Sequence, residues 1–331
     1  LLEKLEGAET VAQYQYFTEK LEASAKRAKE AKDPEVPIKI LSALLRHLHP
    51  LSPKPGELQR LAKEALDRIA DLEGIHLLIE RFCDRKATND ELAFIFTGLG
   101  PKAIPPLLER LKEEEHLSAR RRLIHALIQQ GASAVPFLLQ VFDDPRWYVV
   151  RNAALILGHV GGEEAVGPLR RQLRHPDYRV RREVILALGR IGGPQVSGPL
   201  LEALQDQDPV ACQYAVAALS ALKERRAVPA LIEIARAAPD VALQQAAIAA
   251  LGRIGGEEAL HTLVDLLKKR SFLRTAAHEE MRAQAAAALG VLGTEEALEA
   301  LKAEAERSRG KVLKACQEAL EKLSRGEERS P

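Results

Sequence analysis

The sequence predicts an all-α fold in which about seven helix–turn–helix repeats stack into an α-α superhelix, that is, an α-solenoid. A phrase close to Ala-Val-Pro-x-Leu-Leu recurs every 31 residues, starting at Ala103, Ala134, Ala165, Val196 and Ala227, and more loosely at Ala259 and Ala297. A fixed period of this length is typical of stacked repeat proteins, whose units bury their apolar faces against their neighbours. Hydrophobic residues make up 46% of the chain and aromatic residues only 4%, so small and aliphatic side chains must form the core.

Each repeat is predicted to contain two helices. The first helix carries the recurrent phrase, and Pro105, Pro136 and Pro229 fall in its first turn, where the missing N–H costs nothing. The second helix follows a short polar turn and has apolar residues at helical spacing. In the third repeat these residues are Val180, Val184, Ala187, Leu188 and Ile191, and in the second they are Val149, Ala153, Ile156, Leu157 and Val160. The predicted repeats are 100–130, 131–160, 161–191, 192–222, 223–254, 255–292 and 293–323.

Residues 1–99 do not follow this period, although they too are expected to be helical. The candidate helices are 8–31, 37–48, 56–72, 75–83 and 89–99, with Gly74 separating two of them. Thr88 and Glu91 have the spacing of a capping box at the start of the last one. The region is either a set of degenerate repeats or a separate helical domain packed on the first repeat.

The sixth and seventh repeats depart from the pattern. The sixth is longer than the others, and the excess falls around residues 268–274, which form either a tolerated surface loop or part of a binding face. The seventh has a charged first helix, as a terminal repeat requires, and a frayed polar tail is expected at 324–331.

Composition limits the class of protein. The formal net charge is +1, so no overall attraction to nucleic acid or membrane is expected, although residues 100–191 carry 15 Lys and Arg against 10 Asp and Glu. The cysteines Cys83, Cys212 and Cys316 are far apart in the sequence, which favours a reduced, cytoplasmic chain. No apolar run approaches the length that spans a membrane. Two asparagines and one methionine are compatible with a thermophilic source.

The repeat sequences resemble those of a known family. The second helices of repeats two and three, with Asp144-Pro145-Arg146-Trp147-Tyr148-Val149-Val150-Arg151 and Arg181-Arg182-Glu183-Val184-Ile185-Leu186, resemble HEAT repeats of the short bacterial type that is also called phycobilisome-lyase-like. The resemblance covers about residues 100–323. It implies an α-solenoid, usually a binding scaffold, whose second helices line the concave side.

The resemblance also implies a ladder of hydrogen bonds between neighbouring repeats. In HEAT proteins an Arg early in the second helix pairs with an Asp in the inter-helix turn. The matching positions here are Arg121, Arg151 and Arg182, with Lys314 in the last repeat. Gln213, Gln245 and Ala283 occupy the same position in repeats four to six, so the ladder is expected mainly in the first three.

A candidate partner-binding surface lies on the second helices of repeats one to three, on the face away from the buried residues. Its members are Arg121, His125, Trp147, Arg151, Leu155, Tyr178, Arg182, Leu186 and Arg190. Aromatic and Arg side chains dominate binding hot spots, and two Leu residues on an exposed face strengthen the case for a partner. The alternative is that the Arg residues serve the ladder and the aromatic residues cover the turns. Repeats four to six carry Ala217, Ala249 and Ala287 where the earlier ones carry Leu.

We therefore predict a non-catalytic bacterial scaffold, a module of a larger protein or assembly, that binds a protein or peptide in its concave groove without a cofactor or metal. The alternative is a nucleic-acid or phosphate ligand held by the Arg-rich repeats one to three, with residues 170–182 as the densest basic stretch. A HEAT-repeat hydroxylase uses several His-Glu pairs, and this chain has one, His278-Glu279. His47 and His49 lack partners at metal-ligand spacing. Bilin lyase activity, implied only by the name of the repeat type, is a distant alternative.

Overall fold

The computed structural model describes residues 1–84, 90–269 and 276–327 of the chain, with side chains described up to residue 324. Every regular element in these ranges is helical, which confirms the predicted all-α class. Thr88 of the predicted capping box, most of the insertion at 268–274 and most of the polar tail lie outside the described residues. The contacts divide the chain into two compact units, Leu1–Gly161 and Gly162–Pro331.

The first unit, Leu1–Gly161, contains ten α-helices in its described part. They are α1 (Leu2–Glu6), α2 (Val11–Glu30), α3 (Glu35–Leu48), α4 (Gly56–Ile69), α5 (Leu72–Cys83), α6 (Asp90–Leu99), α7 (Ile104–Glu113), α8 (Leu117–Gln129), α9 (Val135–Gln140) and α10 (Trp147–Val160). Short 3-10 turns precede α7 and α9, and another follows α9. The pairs α7/α8 and α9/α10 are the predicted first and second repeats.

The second unit, Gly162–Pro331, contains the remaining five repeats as consecutive helix pairs. The helices are α11 (Glu163–Gln172), α12 (Tyr178–Ile191), α13 (Ser197–Ala203), α14 (Pro209–Ala221), α15 (Val228–Ala237), α16 (Val241–Ile254), α17 (Glu257–Lys268), α18 (Ala276–Leu292), α19 (Glu295–Arg307) and α20 (Gly310–Glu327). The second helices α12, α14, α16, α18 and α20 pack in succession, each against the next. Each first helix packs against the second helix of its own repeat.

Local sequence explains where the helices begin and end. Gly192 and Gly255 follow α12 and α16 with φ angles of 68° and 75°, a left-handed conformation that ends a helix and that only glycine adopts without strain. The side chains of Asp208 and Asp240 cap the next second helices by accepting backbone N–H bonds in the first turn. Helix α16 therefore has both an acidic start at Asp240 and a glycine stop at Gly255.

The predicted buried face of the second helices is confirmed, except at its ends. Val180, Val184, Ala187 and Leu188 in α12 are all 0% exposed. Ile191 is only half-buried, as is the equivalent Val160 at the end of α10, whereas the equivalent Ile254 at the end of α16 is buried.

The amino-terminal helices lie close to their predicted positions, with one correction. Gly74 was expected to separate two helices, but it lies in the first turn of α5, where it donates its N–H to the Asp71 side chain at 2.8 Å. A Cβ at this position would come within 2.6 Å of the Ile69 carbonyl oxygen, so the close approach of two backbones explains this glycine. The predicted domain boundary at residue 99 lies inside the first unit and stays a prediction.

Candidate partner-binding surface

The predicted surface in the second unit lies along one side of α12. Tyr178, Arg182, Leu186 and Arg190 are four residues apart, so successive turns of the helix place them on one face. Tyr178 is 47% exposed and Arg190 is exposed, whereas Arg182 and Leu186 are half-buried. Helix α12 therefore presents an aromatic ring, an aliphatic side chain and two guanidinium groups on the face opposite its buried residues.

Arg182 is held by the protein itself. Its guanidinium forms a two-pronged ion pair with Asp208, the residue that caps α14 in the following repeat. The Tyr178 ring lies 4.6 Å from the Arg182 guanidinium carbon, so a cation–π contact adds to the pairing. The hydrogen bond from Arg182 lowers the pKa of the Asp208 carboxyl below its usual range. Arg182 thus connects two repeats, as the family ladder implies.

The ladder continues past the point where it was expected to break. Gln213 in α14 donates its side-chain amide to Asp240 at 3.2 Å, and Asp240 also accepts the N–H of Leu243 at 2.7 Å. The prediction that Gln213 interrupts the series was therefore wrong. A glutamine amide supplies one of the donors that an arginine would supply, so it reaches the same carboxylate without a charge.

Sequence reasoning missed a second set of arginines, one residue before the ladder position. Arg120, Arg181 and Arg282 each donate to backbone carbonyl groups in the last turn of, or just after, the first helix of their own repeat. In the fourth repeat the equivalent residue is Cys212, whose thiol donates to the carbonyl oxygens of Leu204 and Asp206 at 3.4 and 3.1 Å. Arg181 and Cys212 are exactly one 31-residue period apart, and this spacing was the available signal.

The predicted surface in the first unit lies on α8 and α10, which pack against each other. Arg121 and His125 are exposed on α8, and Trp147, Arg151 and Leu155 are half-buried on α10. The prediction that Trp147 is at least partly exposed is confirmed. Its ring meets the Tyr148 ring edge-on, with 5.9 Å between the centroids.

Arg121 does not take part in the expected ladder. The ladder acceptor in the later repeats is the residue that caps the next second helix, and at the start of α10 that residue is Arg146. The nearest turn carboxylate, Asp144, is occupied by the two-pronged bond from Arg146, which lowers the pKa of Asp144 to about 2. Arg121 forms no hydrogen bond or ion pair with any residue that the structure describes.

Two further exposed apolar residues border this surface, and sequence reasoning had not included them. Phe94 on α6 is 43% exposed and lies one 31-residue period before His125. Leu117, one helical turn before Arg121, is 60% exposed. Helix α6 packs on α8, and α8 packs on α10, so the three helices that carry these exposed residues are neighbours. The period therefore extends one helix pair, α5/α6, into the region that was predicted to be either degenerate repeats or a separate helical domain.

Comparison with known proteins agrees with this architecture. Residues 135–211 and 197–279 match the HEAT repeat family, and residues 281–306 match the family described as the PBS lyase HEAT-like repeat. The chain is a HEAT-repeat protein. No curated protein sequence matches this HEAT-repeat chain.

Among solved structures, a crystal structure of importin beta aligns with a TM-score of 0.52 and 12% identity, over 98% of this chain and 59% of that one. An engineered protein aligns with a TM-score of 0.39 and 18% identity, over 98% of both chains. Human deoxyhypusine hydroxylase in complex with glycerol aligns with a TM-score of 0.34 and 23% identity, over 68% of this chain and 97% of that one. The likeness to importin beta concerns the fold alone.

The basic stretch at 170–182 in this HEAT-repeat chain is largely neutralised. Four of its six arginines pair with carboxylates: Arg170 with Glu202, Arg179 with Asp177, Arg181 with Asp206, and Arg182 with Asp208. Arg171 and Arg174 are exposed and form no ion pair within the described ranges. Most of the positive charge that the sequence offered to a phosphate backbone therefore stabilises contacts within and between repeats.

The histidines considered as metal ligands have other roles. His47 is buried, and its Nδ1 lies 2.8 Å from the hydroxyl oxygen of buried Tyr14. His278 contacts the Lys269 carbonyl oxygen at 2.7 Å. Within the described ranges, no three His, Cys, Asp or Glu side chains are grouped so that they could hold a metal ion. The same ranges contain no helix that is both long and apolar enough to span a bilayer.

Proposed function

We propose that this HEAT-repeat protein is a non-catalytic scaffold that recognises a protein or peptide through the exposed face of its second helices, the side expected to line the concave groove. The observation that carries the proposal is the pair Tyr178 and Leu186 on α12. Both lie opposite the buried face, where a solvated helix needs no large apolar group, and both retain exposed surface. HEAT repeats generally mediate protein interactions, which supports the same reading.

The physical basis is the chemistry of interface hot spots. A tyrosine ring supplies a large, rigid contact area at low cost in conformational entropy, and an adjacent leucine supplies aliphatic surface. Because Asp208 and the Tyr178 ring hold Arg182, the side chains of this face are ordered before a partner arrives. Such preorganisation reduces the entropy lost on binding.

Nucleic acid is the weaker candidate for the same surface. A phosphate backbone binds through several free cations, whose number sets how steeply affinity falls with salt. Arg179, Arg181 and Arg182 each already hold a carboxylate. A phosphate would have to displace these partners, which costs part of the energy that it would gain.

The setting of the scaffold is part of the proposal. We place it in the bacterial cytoplasm as a module of a larger protein or assembly. Cys212 and Cys316 support a reducing compartment, because both are buried free thiols with no disulfide partner among the described residues.

The test compares the intact chain with a Tyr178→Ser/Leu186→Ser variant in quantitative recovery of binding proteins from a bacterial extract. Partners that use this face should fall about tenfold or more in recovery, since two hot-spot contacts are removed. The matched control is Leu51→Ser, which removes an apolar group that is 86% exposed and lies outside the second helices.

Two outcomes would contradict the proposal. One is equal recovery with the double variant and the intact chain. The other is recovery that consists of nucleic acid and collapses between low and physiological salt, which would favour the phosphate-binding alternative.

A further inference from the structure

The starting point is the guanidinium group of Arg121. At the ladder position in the second unit, Arg182 holds Asp208 and Gln213 holds Asp240. Each of those carboxylates caps the next second helix. At the start of α10 the capping position is occupied by Arg146, so the equivalent acceptor for Arg121 does not exist. Arg121 is an exposed ladder arginine that lacks its acid.

The cations near Arg121 are already committed to other groups. Arg120 donates to the Glu114 carbonyl oxygen at 2.7 Å, and Arg122 donates to the carbonyl oxygens of Phe82 and Cys83 at 2.9 and 2.6 Å. Arg146 holds Asp144 at 2.7 Å. Arg151 on the neighbouring helix α10 contacts the Asn152 Oδ1 at 3.4 Å. Arg121 is therefore the guanidinium of this face that has no partner among the described residues, which is a poor arrangement for a phosphate backbone and a sufficient one for a single carboxylate.

Apolar groups lie on the same helix as this charge and on the two helices that pack against it. Leu117 precedes Arg121 by one turn on α8, Phe94 projects from α6, and Trp147 and Leu155 lie on α10. Phe94 and Leu117 are 43% and 60% exposed. We call these five residues, with His125, the α8 surface. Large apolar groups around a charged group are a typical composition of an interface centre.

We propose that the α8 surface binds an acidic-aliphatic peptide segment, in which one Asp or Glu pairs with Arg121 while neighbouring aliphatic side chains cover Phe94, Leu117 and Leu155. This inference rests on the proposed scaffold function and names its partner chemistry. The carboxylate takes the place that Asp208 and Asp240 take in the second unit. A two-pronged guanidinium–carboxylate bond is strengthened when apolar side chains exclude water around it.

The probe is a short synthetic peptide that alternates Glu and Leu, added to the intact chain. Trp147 is the single tryptophan of the sequence and belongs to the α8 surface, so its fluorescence reports occupancy directly. Two matched peptides carry Gln in place of Glu, or Ser in place of Leu. Saturable binding is expected for the Glu-Leu peptide, and both replacements should weaken it about tenfold or more.

Variants of the chain locate the contact. Arg121→Gln should weaken the Glu-Leu peptide about tenfold and should leave the Gln-Leu peptide unchanged, because only the charge pair is lost. Phe94→Ser should weaken both peptides, since it removes apolar contact area. The controls are Arg171→Gln and Val291→Ser, which alter an exposed arginine and a 63% exposed valine in the second unit. Every altered side chain is partly or fully exposed, so thermal melting should show that all variants fold.

The proposal is overturned if the Gln-Leu peptide binds as tightly as the Glu-Leu peptide, or if Arg171→Gln weakens binding as much as Arg121→Gln does. Displacement of the peptide by a single-stranded oligonucleotide at physiological salt would overturn it too, in favour of a phosphate ligand. Failure of these peptides, together with Tyr178/Leu186-dependent partner recovery, would refute the acidic-peptide inference and leave the scaffold function standing. If neither peptide binding nor Tyr178/Leu186-dependent partner recovery is observed, both the acidic-peptide inference and the scaffold function are refuted.

Discussion

The second helices of the two units differ in the residue that caps their first turn. This residue decides whether the ladder position of the preceding repeat has a carboxylate to bind. In the second unit the capping residues Asp208 and Asp240 accept bonds from the preceding repeat, so Arg182 and Gln213 are part of the framework. In the first unit the capping residue of α10 is Arg146, and Arg121 is exposed and pairs with no acid in the part of the chain that the structure describes. One residue at the start of a helix thus determines whether an arginine in the repeat before it stabilises the array or remains available to a ligand.

The largest expected effect tests which residues of α12 lie on its buried face and which lie on its exposed face. Leu188→Ala should lower the free energy of unfolding by about 2–5 kcal/mol, because Leu188 is 0% exposed and its loss leaves a cavity between helices. Leu186→Ala, two residues away and half-buried, should cost less than about 1 kcal/mol. Chemical denaturation measures both values. Equal costs would show that the assignment of buried and exposed faces on α12 is rotated.

The next effect concerns the ladder of the second unit, in which Arg182 pairs with Asp208. Asp208→Ala removes the cap of α14 together with the acceptor for Arg182, and it should cost about 1–2 kcal/mol. Glu257→Ala is the control, since Glu257 is an exposed acid at the start of α17, a helix without a side-chain cap. If the two variants melt at the same temperature, the ladder contributes nothing measurable.

The reciprocal change supplies the ladder carboxylate that Arg121 lacks in the first unit. Arg146→Asp supplies α10 with a capping carboxylate at the position equivalent to Asp208, within the reach that Arg182 shows in the second unit. The melting temperature should rise, and affinity for the Glu-Leu peptide should fall about tenfold, because Arg121 then has an internal partner. Arg146→Gln is the control without the new charge. If the peptide affinity of Arg146→Asp is unchanged, Arg121 does not contribute to peptide binding.

The smallest expected effect concerns how the free energy of unfolding of the first unit depends on pH. Burial, reinforced by Lys54 and Arg46 and opposed by Glu6, lowers the pKa of His47 below its ordinary value near 6.5. The unfolded chain therefore binds a proton more readily than the folded one, so the first unit should lose stability as pH falls below about 6.5. Denaturation followed by Trp147 fluorescence at several pH values measures this loss. His47→Gln, which keeps a partner for the Tyr14 hydroxyl, should flatten the dependence, and a persisting slope would point to another group.

The sequence predicted the helix pairs because the phrase recurs every 31 residues from Ala103 to Ala227 and because the apolar residues of the second helices recur on one face. It placed Leu188 in the core and Trp147 at a partly exposed position for the same reason. The ladder was less predictable, because its bonds join residues of different repeats. Gln213 was rejected on residue type, although its amide reaches Asp240. Arg121 was accepted on residue type, although the second repeat places Arg146 where the acceptor should be.

Phe94 shows a different limit of sequence reasoning. The Ala-Val-Pro-x-Leu-Leu phrase is missing before residue 100, so the sequence left open whether the first 99 residues are degenerate repeats or a separate helical domain. The helix pair α5/α6 nevertheless precedes the first repeat at the right interval, and its exposed face continues that of α8. A repeat can keep its geometry after its signature residues have changed, because packing requires only apolar groups of suitable size at the buried positions.

Cys212, the thiol that replaces an arginine in the fourth repeat, can report how often the second unit opens. Burial raises the pKa of Cys212 to about 11 and that of Cys316 to about 11. Both sulfurs are therefore protonated at neutral pH and shielded from alkylating reagents until their helices open. The rate at which they become modified measures transient opening of the second unit, while Trp147 emission reports on the first. The chain thus carries a separate reporter residue type in each unit, and neither has to be introduced by mutation.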